Sequence, residues 1–175
     1  VGAWSVAFGE ADETLVEAGF LWHKVIKINK KLGIKVEIIN FIPAQDEAVE
    51  LMSVKLTNIS KKKLKISPTL AIPIYGRSAD NIRDHRHVTS LLNRIKLSKY
   101  GVIVTPTMIF CEMGHQVNKL SYFVLGCEGN SEIPMGVFPT VMEFSGEGGS
   151  LGKQKAILEN IPPDKKPNIA RHGKE

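Results

Sequence analysis

Cysteine is scarce, with two in 175 residues, and that excludes a disulfide-stapled scaffold. The pair, Cys111 and Cys127, lacks Cys-x-x-Cys spacing and reads as two small apolar residues on strands. No apolar run approaches the ~20 residues of a membrane span, and no basic–apolar–small signal segment stands at the start. Aromatic residues make up only 7% of the chain, and none is interleaved with its lysine clusters. The stacking platform of a single-strand nucleic-acid binder is therefore missing, although the net charge is +5.

Catalytic signatures are missing as well. There is no Gly-x-Ser-x-Gly elbow and no cysteine with an evident base. The run SGEGGSLGKQ ends in Gly152-Lys153, but Glu147 stands where a phosphate-binding loop needs its first glycine, and Gln154 stands where it needs a hydroxyl. Leu151 occupies the third glycine of the dinucleotide pattern. The run reads as a surface loop that uses glycine for positive φ.

What is present is a period of two. The hydrophobic share is 43% and the charged share 23%, as in an ordinary folded domain. Ile34, Val36 and Ile38 alternate with Lys35 and Glu37. Met52, Val54 and Leu56 alternate with Ser53, Lys55 and Thr57; Leu64, Ile66 and Leu70 alternate with Lys65, Ser67 and Thr69. This predicts half-buried strands over 20–28, 34–42, 50–57 and 64–70, joined as a meander. The turns fall at 29–33 and 58–63, with a loop at 42–48 around Pro43 and Asp46. Lys61, Lys62 and Lys63 then form a solvated hairpin loop. A second hairpin is expected over 91–99 and 102–110, and a further strand over 122–127. Gly- and Pro-rich chain follows, then a short amphipathic piece at 155–160. Sequential short strands without intervening helices predict an all-β, antiparallel sandwich. Residues 1–160 form it or a large part of it, and 161–175, opened by Pro162-Pro163, form a linker. The chain begins with Val1, as a segment of a longer polypeptide would.

The densest polar cluster is RSADNIRDHRHVTSLLNR, residues 77–94. On an extended backbone His85 and His87 point the same way, and with His115 they could ligate a metal. The acidic ligand of a cupin-like site is absent from Val88 to Asn93, so no metal is assigned. Arg83, Asp84, Arg86 and Arg94 instead read as a network that pairs with carboxylates, sugar hydroxyls or a partner surface. Trp22, with His23 beside it, is placed mid-strand and read as core first, with a sugar-stacking role as the alternative.

Three blocks resemble one family. They are GIKVEIINFIPAQDEAVELMSVKLTNISKKKLKIS (33–67), IPIYGRSADNIRDHRHVTSLLNRI (72–95) and GVFPTVMEFSGEGGSLGKQKAIL (136–158). Together they resemble the N-terminal sandwich domain of the cellobiose-phosphorylase family, a former glycosyltransferase family. The last two are closer to its 1,2-β-oligoglucan phosphorylase and cyclic β-1,2-glucan synthase branch, except that the synthase-like pattern places Pro where Gln154 stands. The resemblance implies a β-supersandwich of the galactose-mutarotase type. It implies an inverting phosphorylase as parent, in which phosphate attacks the anomeric carbon of a β-glucoside and one Asp protonates the leaving oxygen. Phosphate is already anionic, so no second carboxylate is needed. In the family that Asp lies in a helical α/α-barrel domain, so the resemblance assigns no catalytic residue here and no cofactor beyond inorganic phosphate as the parent's co-substrate. The expected partners are the parent's own barrel, a β-glucan oligosaccharide and a second copy of the protein, with neither nucleic acid nor membrane among them. A cytoplasmic location is expected. Arg83, Asp84, His85, Arg86, His87, Arg94 and Trp22 are the candidate substrate-binding or interface residues. The rival expectation is a stand-alone carbohydrate-binding or interaction β-domain.

Overall fold

In a computed structural model, the structure describes residues 3–74, 93–111, 114–165 and 170–172. Every strand pairing among them is antiparallel, and the helices amount to two short pieces, so the chain is all-β in class. It divides into two compact units, residues 1–69 and 70–175.

The first unit is a meander of β1 (Glu13–Gly19), β2 (Trp22–Asn29), β3 (Ile34–Phe41) and β4 (Leu51–Asn58), in that spatial order. Register partners share a face, so the alternation in sequence becomes two faces of one sheet. One face carries the row Val16, Val25, Ile38 and Val54, with Val36 and Leu56 beside it. The other carries charge: Lys24 pairs with Glu17 at 3.2 Å and Lys35 with Glu37 at 3.3 Å. The β2–β3 turn closes on Gly33 at φ 70°, and the Asn29 carboxamide oxygen accepts from the Leu32 amide at 2.9 Å. Glycine takes that left-handed conformation without a Cβ clash.

The second unit holds a sheet of order β10-β5-β6-β9, from β5 (Asn93–Ser98), β6 (Gly101–Pro106), β9 (Tyr122–Leu125) and β10 (Ala170–His172). A separate ribbon pairs β7 (Met108–Cys111) with β8 (Gly114–Val117). Ile95, Leu97 and Val104 share one sheet face and are buried, Leu97 at 1% exposure. The helices α1 (Val141–Ser145) and α2 (Lys155–Leu158) bury Phe144 and Ala156. Phe138 stacks obliquely on Phe144, with ring centroids 5.5 Å apart.

Four sequence expectations change. The meander begins one strand earlier: β1 was not anticipated, and Phe20-Leu21 is its turn to β2 rather than strand. The fourth expected strand, 64–70, does not form. The strand expected over 102–110 breaks at Thr107 into β6 and β7. Cys127 lies beyond the end of β9 and is exposed. The hairpin expected over 91–110 is present in its central part, as β5 and β6. Beyond residue 160, Val137 and Asp164 exchange backbone hydrogen bonds at 2.9 Å, and β10 pairs with β5, so this stretch returns to the second unit.

Candidate functional site

Arg83, Asp84, His85, Arg86 and His87 lie outside the described residues, as does the His115 side chain. Trp22 and Arg94 are described, and they belong to different units.

Arg94 stands on β5, opposite Thr105 of β6 and His172 of β10 in register. Its neighbours Asn93 and Ile95 are buried, which turns Arg94 and Lys96 to the other face. That face is built in rows. Lys96, Ile103 and Phe123 align across three strands, and Thr105 lies beside Arg94 with its hydroxyl 2.7 Å from that of Ser121. Phe123 is half exposed. Two cations, a hydroxyl pair and an exposed aromatic edge on one face can bind a polyol or an anion: the cations and hydroxyls hydrogen-bond and the ring packs against C–H groups. Phe123 was not singled out from sequence. The signal was the unbroken apolar run YFVL, which fills both faces of a strand where one face would be polar.

Trp22 opens β2 rather than lying mid-strand, and the residue is 41% exposed, so the core reading is overturned. The reason is its row. Trp22 shares a sheet face with Gly19, Phe41 and Leu51 at the last rung of the ladder. Past that rung the Ile42 amide donates to the Leu21 carbonyl at 2.9 Å, and in the turn Phe20 is 90% exposed. The result is an apolar end to the sheet, formed by Phe20, Leu21, Trp22, Phe41, Ile42 and Leu51. His23, on the opposite face, lies 3.0 Å from Asn40 Nδ2.

A pocket of about 260 Å³ opens among Val137, Phe138, Pro139, Glu143, Ile161, Pro162 and Asp164. Its two carboxylates invite an acid–base reading, but Glu143 has a structural task. Thr140 Oγ1 accepts from the Glu143 amide and donates to its carboxylate, each at 3.1 Å, which caps α1. The Gly-rich run behaves as expected of a surface loop: Gly146 and Gly148 take φ of 79° and 66°. Among the described residues no cluster of three or more His, Cys, Asp or Glu side chains is placed to hold a metal. Nor is any helix among them long and apolar enough to cross a membrane.

No protein-family model matches the chain, and a search of curated proteins finds no match.

Proposed function

We propose that this chain is a non-catalytic β-sandwich segment of a cytoplasmic glycoside phosphorylase. The parent converts β-linked gluco-oligosaccharides, β-1,2-linked first, and phosphate to α-glucose 1-phosphate. The observation that carries the reading is the first unit's β3–loop–β4 arrangement. The block that resembles the family places a strand before the Pro43 loop, a strand ending in Leu-Thr-Asn, a basic turn and another strand; the first three have counterparts here, and residues 64–70 form no strand. β3 ends at Phe41, β4 ends at Leu56-Thr57-Asn58, and the exposed lysines 61–63 follow. In this reading the segment supports the barrel, contributes to dimerisation and flanks substrate access. Residues 83–87 and Arg94 are its candidate contacts with substrate or barrel. No residue here transfers a proton or holds phosphate during the reaction.

A second reading, a carbohydrate-binding domain without an enzyme, is favoured by Trp22 and by the Lys96–Ile103–Phe123 row with Arg94 beside it. Exposed aromatic faces next to fixed polar groups suit sugar rings.

One experiment separates the two. The complete polypeptide that carries this sequence is incubated with phosphate and β-1,2-, β-1,3- and β-1,4-gluco-oligosaccharides while glucose 1-phosphate is followed, with the 175-residue chain in parallel. Release from β-1,2 substrates by the complete polypeptide alone supports the phosphorylase. No release from any substrate, with glycan still retained by the chain, overturns it in favour of the binding domain.

A further inference from the structure

The segment that follows β4 has the composition of a strand and no sheet to join. Residues 64–69 read Leu-Lys-Ile-Ser-Pro-Thr, with Leu64 and Ile66 on one parity and Lys63, Lys65, Ser67 and Thr69 on the other. Among the described residues, no hydrogen bond involves the backbone of 64–69, and all of these residues except Leu64 are exposed. A run of unpaired amides and carbonyls on an alternating sequence is a template for β pairing.

The obvious partner, β4 of the same chain, is electrostatically wrong. A hairpin that keeps Leu64 and Ile66 on the face of Val54 and Leu56 puts Lys65 on the parity of Lys55. In the two tightest such registers Lys65 stands directly opposite Lys55 or diagonal to it. Like charges across a ladder are destabilising. The turn chemistry also leads the chain away. Ile59 donates to the Gly33 carbonyl at 2.9 Å, and Asn58 Nδ2 donates to the Lys62 carbonyl at 2.8 Å.

The other edge of the sheet is complementary. β1 has no partner on its outer side among the described residues, and all seven of its residues are exposed. On one parity it presents Glu13 and Glu17, whose side chains remain about half exposed beside Lys30 and Lys24; on the other it presents Thr14, Val16 and Ala18. An antiparallel strand that places Ile66 against Val16 puts Lys65 directly opposite Glu17. Sliding it two residues, to place Leu64 against Val16, sets Lys65 between Glu13 and Glu17. Pro68 turns its nitrogen the same way as Ile66, toward β1, and falls opposite Thr14 in the first register and past the end of β1 in the second, so the ladder hydrogen bonds come from Leu64 and Ile66 and the strand ends at Pro68. A segment leaving β4 stands at the opposite edge from its own β1, about four strand spacings of ~4.8 Å from the position required. The strand therefore comes from another copy.

We propose that residues 64–69 form a donor strand that adds to the outer edge of β1 in a second copy of this chain, fixed in register by Lys65 against Glu17. Donor and acceptor are different patches, so the contact is heterologous and builds rings or open chains. The inference does not rest on the phosphorylase reading, and a parent that releases no glucose 1-phosphate leaves it standing.

The test is sedimentation velocity of the full chain over a concentration series. The wild type is expected to form species larger than the monomer, favoured at low salt. Ile66→Pro removes an amide that has no partner in the isolated chain, so it leaves circular dichroism unchanged and weakens association about tenfold or more. Lys65→Glu and Glu17→Lys each weaken self-association when alone, because each sets like charges together. Mixed in equal amounts, they restore it, because each donor then meets an opposite charge. A wild type that stays monomeric throughout overturns the proposal. So does Ile66→Pro associating as well as wild type, or a mixture associating no better than its components.

Discussion

The Trp22 indole lies over Gly19, its register partner across the β1–β2 ladder, so closely that a Cβ on Gly19 would run into the ring. A missing side chain on one strand is thus the seat for the largest side chain on the next. Gly19→Ala is expected to lift the indole off the sheet end, red-shifting its fluorescence, and to cost about 1 kcal/mol as the packing is lost. Emission spectra and urea unfolding of the variant in a Trp4→Phe background, which leaves Trp22 as the sole tryptophan, check both parts; an unchanged spectrum would sink the expectation.

Leu21 occupies the β1–β2 turn at φ 61°, a left-handed conformation that side chains with a Cβ adopt at a cost. Leu21→Gly is expected to stabilise the first unit, by up to about 1 kcal/mol, because relief of strain outweighs the added freedom of the unfolded chain. Leu21→Val is expected to destabilise it. Paired urea titrations give the sign of each change.

Among the described residues Leu97 is the largest fully buried side chain of the second unit, and Val36 is its counterpart in the first, at 2% exposure. Leu97→Ala removes most of a side chain held between sheet and interior and is expected to cost about 2–5 kcal/mol. Thr140→Ala deletes the cap of α1 while removing little buried surface, and is expected to cost about 0.5–2 kcal/mol. The ranking Leu97→Ala above Thr140→Ala is read directly from denaturation midpoints at constant slope.

Lys30 titrates above the ordinary lysine value of 10.5, chiefly because its ammonium donates to the Glu13 carboxylate at 2.7 Å, and further because of that carboxylate's charge. A pKa raised by folding stabilises the fold fully below the unfolded value, and that contribution is lost as pH rises through the folded one. Stability is therefore expected to be insensitive to this pair through the neutral range and to fall in the alkaline range. Glu13→Gln is expected to bring the Lys30 titration, followed by NMR at the side-chain nitrogen, back down toward the ordinary value. An unshifted curve in the variant would rule out the Glu13 contact as the cause.

The strands that could be read from sequence are those in which apolar and charged residues mostly alternate, with exceptions such as Lys27 on β2 and Ile39 on β3. Lys24, Lys35, Glu37 and Lys55 mark the polar face of β2, β3 and β4, and the turn at 29–33 separates two of them. β1 escaped because Phe20 and Leu21, apolar residues at a turn tip, look like the start of a strand; a turn normally announces itself with Gly or Asn. Residues 64–70 misled in the opposite way. Their alternation is as good as that of β4, yet a strand needs a neighbour, and Lys65 against Lys55 makes the nearest one unfavourable. Of the candidate site, Arg94 could be read from its polar cluster, and it lies on the face that also carries Thr105 and Phe123. The row through Lys96, Ile103 and Phe123 joins residues up to 27 positions apart, and pairing register alone brings them together.

The sequence by itself determined the class, antiparallel β, and the parity of the strands it marked, β2 to β6, because successive residues on a pleated backbone must point opposite ways. Tertiary structure alone decided which of a strand's two faces is covered. Leu97 and Val54 both sit on the apolar parity of a clean strand, but Leu97 is buried and Val54 is exposed. Parity is a local property of the backbone, whereas burial depends on what packs on top, and that is set by segments distant in the chain.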